Sequence, residues 1–299
     1  MMKLRLSLTA TVFSVYLAAQ TPDSANQGKL LVRHYSEGQK LHYQMKATNE
    51  ERGRKLAYEI QADGEVKKAP DGFFEEFRWS HLVVNGAERP LSPFSRDLRQ
   101  LFTLEANPKY LGLPDLSKVD SMMVGPITDM FTFYADILIA EKQGTLARAG
   151  DHFYYPHGGP NSWADGSYVT LGQDAIDFDI TLTQIDSASH VATVTVKHVP
   201  PPSPQIKIPA DWMKPAVADT PNNWVQVIKQ GDSKYVASVG KETFVAEIKL
   251  SLDDGRMLSG TIDNPVEVRE RQCSDAALTQ CGEPERYSIL RRINVTSRE

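Results

Sequence analysis

The chain has 299 residues, 24% of them charged and 41% hydrophobic, a make-up that suits a globular protein with one large core or two smaller ones. Its 33 basic and 38 acidic residues leave a formal charge of −5, with the two signs interspersed. That excludes the clustered Lys and Arg a nucleic-acid partner requires, and none is expected.

The first 19 residues read as a signal peptide. Lys3 and Arg5 open a short basic start, an apolar run from Leu6 to Leu17 follows, and Ala18-Ala19 before Gln20 suits a peptidase. The run is shorter than the roughly 20 apolar residues a bilayer span needs, so no transmembrane anchor is expected after cleavage near Ala19. No Cys lies at that junction to take a lipid. The expected localisation is therefore exported, periplasmic or extracellular, and loss of Lys3 and Arg5 would take the formal charge from −5 to −7. Residues 20–30 are polar, with Pro22 and Gly28, and read as a flexible leader.

From Leu31 onward the dominant signal is period two. Leu41, Tyr43, Met45 and Ala47 share one face, and His42, Gln44 and Lys46 the other. The same alternation runs through Leu56, Tyr58, Ile60 and Ala62, then Phe77, Trp79 and Val83, ending at an Asn85-Gly86 turn. One segment departs from it. Ile127, Met130, Phe131, Tyr134, Ile137 and Leu138 recur at three and four residues, which predicts an amphipathic helix, with Pro126 in its first turn and Gly125 and Gly144 bracketing it.

Alternation returns in Ile176, Phe178, Ile180 and Leu182, in Ala192, Val194 and Val196, and in Phe244, Ala246, Ile248, Leu250 and Leu252. A final strand is predicted around Tyr287 to Val295, for roughly ten to twelve strands in all by this criterion. Residues 150–172 and 199–224 are irregular, and seven prolines from Pro200 to Pro221 bar the second from a central strand. A boundary near 145–175 stays open. One β-rich domain over 31–299 is preferred, because neither half carries its own helix-covered core.

The fold class expected is thus mainly β, with some α: a large, curved antiparallel sheet or unclosed barrel with an amphipathic helix packed on it. Cys273 and Cys281 are the only cysteines. In an oxidising compartment they are expected to be bonded, worth about 2.5 kcal/mol for so short a loop. A metal pair would need two further ligands, and a redox pair is normally spaced Cys-x-x-Cys.

Three tryptophans, Trp163, Trp212 and Trp224, fall in or beside the irregular stretches, with Tyr154, Tyr155 and Tyr168 near the first. Two readings apply: these aromatics rim a groove for an apolar ligand, or each Trp pins its own loop to the body. His152 and His157, five apart near Asp151 and Asp165, are weak metal candidates only, since a metal wants three or four converging ligands. No metal or cofactor is expected. Gly-x-Ser-x-Gly is absent, no glycine-rich phosphate loop precedes a helix, and the pairs Asp177/Asp179 and Asp253/Asp254 lie on a wet face or in a turn. An enzyme is the less favoured class. Asn294-Val295-Thr296 fits a glycosylation sequon, which matters only in a eukaryotic secretory pathway.

An export signal, strands around Leu41–Ala47, Ile176–Leu182 and Phe244–Leu252, and the helix Ile127–Leu138 together resemble the bacterial lipoprotein carriers and lipid-binding proteins of the unclosed-barrel fold. The resemblance rests on layout and transfers no functional residue. It implies a concave apolar face for an acyl chain or other hydrophobic ligand, with the helix as plug or lid. The partner expected is a lipid or hydrophobic small molecule; the alternative is an envelope protein, with the chain acting as an interaction or structural module.

Overall fold

The protein is described by a computed structural model over residues 30–105, 111–142, 145–156, 168–171, 177–199, 210–213 and 223–299. The expected signal peptide, and all but the last residue of the expected leader, lie outside the described residues. In chain order come β1 (Lys40–Glu51), β2 (Arg54–Ala69), β3 (Gly72–Val84), β4 (Ala87–Arg89), α1 (Pro93–Asp97), β5 (Gln100–Phe102) and α2 (Ser121–Lys142). These are followed by β6 (His152–Tyr155), β7 (Tyr168–Leu171), β8 (Asp177–Asp186), β9 (Val191–Val199) and β10 (Asn223–Gly231). The chain ends with β11 (Lys234–Glu242), β12 (Phe244–Ser251), β13 (Met257–Cys273) and β14 (Glu285–Arg298).

Fourteen strands form one antiparallel sheet, ten of them in the order β4-β3-β2-β1-β14-β13-β12-β9-β8-β6, with β5 paired to β3, β11 to β13, β10 to β11 and β7 to β10, and the sheet does not close into a barrel. The turns follow their residues. Arg52 and Gly53 between β1 and β2, and Asn85 and Gly86 between β3 and β4, all take positive φ, the backbone twist that tight hairpins need. The alternation expected for β3 slips once: His81 has φ 47° and the β2–β3 register shifts nearby, a bulge that turns Leu82 and Val84 inward in place of Val83.

β11 and β12 lie end to end on one flank of β13, and β9 and β10 lie end to end on the next line out. His198 near the end of β9 faces Phe244, while Asn223 at the start of β10 faces Lys241. β9 ends and β10 begins on that single line of the sheet. Where β11 passes into β12, Pro265 of β13 has no N–H to offer the facing carbonyl of Thr243. The Asn264 side-chain amide donates to that carbonyl instead, at 2.9 Å, while Thr243 N–H donates to Pro265 O at 3.0 Å.

One main core joins residues from Leu31 to Val295, and α2 stands at its centre. The expected helix was a one-sided stripe over Ile127–Leu138. The structure extends it to Ser121–Lys142, with Pro126 inside it and sixteen of its 22 residues buried. The added first turns are apolar too, so the helix is enclosed by the curling sheet instead of lying on one face. Sheet and helix meet closely at Gly260, where a Cβ would stand 2.5 Å from the Phe133 ring. A second, smaller cluster of Ala210, Val227, Ala237, Val239, Cys273 and Leu278 holds the Cys273–Cys281 disulfide.

Candidate functional site

The concave face of the sheet is the place the resemblance assigns to a ligand, and α2 occupies it. Leu41, Met45, Ile60, Ile180, Val196 and Ile248 line that face and pack in the same cluster as Met130, Phe133 and Ile137 of the helix. Apolar contact is only part of what holds α2. Three buried polar groups tie it to five strands, β1, β2, β3, β9 and β14.

The first is Glu75 of β3, 1% exposed on the same face as Phe77 and Trp79. Tyr43 of β1 donates to its Oε1 at 2.7 Å and Tyr134 of α2 to its Oε2 at 2.8 Å, and the two phenol oxygens are 3.0 Å apart. Gly64 makes the space, since a Cβ there would stand 2.3 Å from Glu75 Oε1. Burial raises the Glu75 carboxyl above its ordinary range, against the opposing hydrogen bonds from both tyrosines and the charge of Arg33. Burial, then the neighbouring Glu75, pushes both phenols well above theirs. Stacking of Tyr134 on Phe102, with centroids 4.4 Å apart, fixes the ring.

The second is Asp129 of α2, which accepts from Tyr58 of β2 at 2.8 Å and is ion-paired with Arg291 of β14. Burial raises the Tyr58 phenol, and the Arg291 charge opposes it. The third is Asp136 of α2, whose Oδ1 lies 3.1 Å from His198 Nε2 on β9. The imidazole is stacked on Phe244 at 3.9 Å, and the second carboxylate oxygen of Asp136 is buried with no hydrogen-bond partner among the described residues. A fourth contact is to the helix backbone: Gln100 of β5 donates to Ile127 O at 3.1 Å and accepts from Trp79 at 3.0 Å.

The residues singled out in the sequence lie elsewhere. Tyr154, 43% exposed, and half-buried Tyr155 alternate on β6, an edge strand, where Tyr154 donates to Asp177 and the Tyr155 ring packs 6.2 Å from Phe178. His152 Nε2 meets Asp179 Oδ1 at 2.6 Å. Trp212 packs on the second cluster, donating to Leu278 O at 3.3 Å with Arg271 5.2 Å above its ring. Tyr155 and Trp212 therefore belong to different clusters. Tyr168 stands in β7, within a stretch that the sequence marks as irregular, and Trp224 in β10, which begins at the end of the other such stretch. Trp163, His157 and Asp165 lie outside the described residues. Among the described residues no three His, Cys, Asp or Glu are grouped to hold a metal.

Glu75, Asp129, Asp136, His198 and Arg291 were not among the site residues singled out in the sequence. Period two held the signal for three of them: Glu75 shares parity with Phe77, His198 with Val194 and Val196, and Arg291 with Ile293 and Val295. A charged or imidazole side chain on a dry face calls for a buried partner. No family model and no curated protein matches this chain.

Proposed function

We propose that the protein is an exported carrier for a lipid or another long hydrophobic molecule, received on the concave face of the sheet when α2 moves aside. The observation that carries this reading is the polar fastening of an otherwise apolar helix. A helix serving only as core would be held best by apolar packing, because exchanging buried ion pairs for hydrophobic residues is often neutral or stabilising. Fastened through Asp129, Tyr134 and Asp136, α2 recovers hydration of those groups on leaving. An acyl chain would then cover the apolar strand faces left behind. The disulfide accords with an oxidising compartment, and so with export.

The filled concave face favours a second reading, an envelope interaction module with no small-molecule ligand. Native mass spectrometry of the disulfide-bonded protein, with lipid extraction of what travels with it, separates the two. A lipid released on denaturation supports the carrier. An apo mass that persists at saturating lipid removes it and leaves the module.

A further inference from the structure

On the outer face of the sheet, away from α2, period two places Glu267, Arg269 and Arg271 of β13 side by side. Directly opposite Arg269 on β14 stands Arg286. Like charges facing each other across a strand pair destabilise the pair, and such positions normally carry opposite signs. Here none of the three guanidinium groups has an ion pair among the described residues, although the chain pairs Arg33, Arg52, Arg256 and Arg292 with carboxylates. The Nε atoms of Arg269 and Arg271 are buried with no hydrogen-bond partner among the described residues. On the flank away from β14, Arg269 faces Val239 and Arg271 faces Ala237, both in the apolar second cluster, so neither is offered a carboxylate there. Arg271 lies on the face of Trp212, which holds the guanidinium plane without neutralising it. Glu267, exposed and next along the strand, is the nearest acid on this face by sequence position.

We propose that Arg269, Arg271 and Arg286 form a binding site for a phosphate group, carried either by a free phosphorylated molecule or by a lipid headgroup. Guanidinium forks match tetrahedral oxyanions through paired N–H donors, and a phosphate, singly charged as a diester and up to doubly charged as a monoester, offsets part of a three-arginine field. The site is on the opposite face from α2 and does not depend on the carrier reading.

The test titrates the purified, disulfide-bonded protein with inorganic phosphate by calorimetry and, separately, measures co-sedimentation with vesicles of phosphatidylglycerol against vesicles of phosphatidylcholine. Wild type is expected to bind at least one of the two anionic probes, more weakly as salt rises. Arg286→Gln, at an exposed position, should weaken that binding about tenfold or more, and Arg269→Gln/Arg271→Gln should abolish it. Lys249→Gln, at an exposed position on β12 away from the three arginines, should leave it unchanged. Binding of phosphate without vesicles identifies a free ligand; preferential binding to phosphatidylglycerol vesicles identifies a headgroup. The proposal is overturned if wild type binds neither probe, or if Arg286→Gln and the double variant, folded by circular dichroism, bind as wild type does.

Discussion

Replacing Glu75 by Gln tests the polar fastening of α2 most directly, because the geometry there counts protons. Three oxygen–oxygen contacts of 2.7, 2.8 and 3.0 Å close a triangle between Glu75, Tyr43 and Tyr134. Each needs one proton, and two phenols supply two. The third is present only if Glu75 is a neutral acid, the form that burial favours; its own proton then goes to one phenol, which turns from donating to Glu75 to donating to the other phenol. The native state then carries one more proton than the unfolded chain at any pH between the ordinary carboxyl value of 4.5 and the raised folded one. Stability from this group therefore falls as pH rises through that window, by about 1.4 kcal/mol per pH unit, and levels off above it. Gln has no proton to lose. At pH 4 Glu75→Gln should cost about 1–3 kcal/mol, for the second amide N–H left unpaired in the core. From there upward the gap to wild type should narrow. Urea denaturation of both proteins at pH 4, 5, 6 and 7, followed by circular dichroism, reads this out. A gap that stays constant with pH, or widens, would refute the neutral-acid assignment; widening would mean an ionised carboxylate stabilised by the two phenols.

Asn264→Ala leaves the Thr243 carbonyl facing Pro265 with no donor, so a loss of about 1–3 kcal/mol is expected in urea denaturation, whereas Asn264→Asp should not restore stability because its carboxylate brings no N–H. Replacing both Cys273 and Cys281 by Ser should cost about 2.5 kcal/mol in the chain-entropy model. Hydrogen exchange should rise most around Leu278 and Ala237 in the second cluster, with the amides of α2 little changed.

Strand content and hairpin turns were legible in the sequence because each strand has one dry face, and Asn85-Gly86 has the φ freedom its turn demands. The helix was legible in kind but not in extent. Its stripe was read from Ile127 to Leu138, whereas Met123, Gly125 and Pro126 are also buried because the sheet curves round to meet them. A local pattern cannot report that curvature. The bulge at His81 was hidden for a similar reason, since period two assumes an unbroken register. Pairings such as Asp136 with His198 or Asp129 with Arg291 link residues far apart in the chain, and only the sheet order brings them together. What the sequence did offer was the anomaly of Glu75, His198 and Arg291 on dry faces.

Those pairings also bear on where α2 can reside. By length and composition the helix could cross a membrane, yet 78% of its most apolar window is buried in the domain. Asp129 and Asp136 stand on either side of its midpoint. In a bilayer each would cost about 2.5–3.5 kcal/mol on insertion scales, whereas inside the domain Tyr58 with Arg291, and His198, receive them. The two aspartates thus favour the domain over the membrane for a segment whose remaining residues would suit either. Asp129→Leu/Asp136→Leu removes that bias, and the double variant is expected to move into the carbonate-resistant membrane fraction while wild type is extracted from it. If the variant is extracted as readily as wild type, the carboxylates serve only to fasten the helix. If single Asp136→Leu alone moves the chain, the His198 contact is the deciding one.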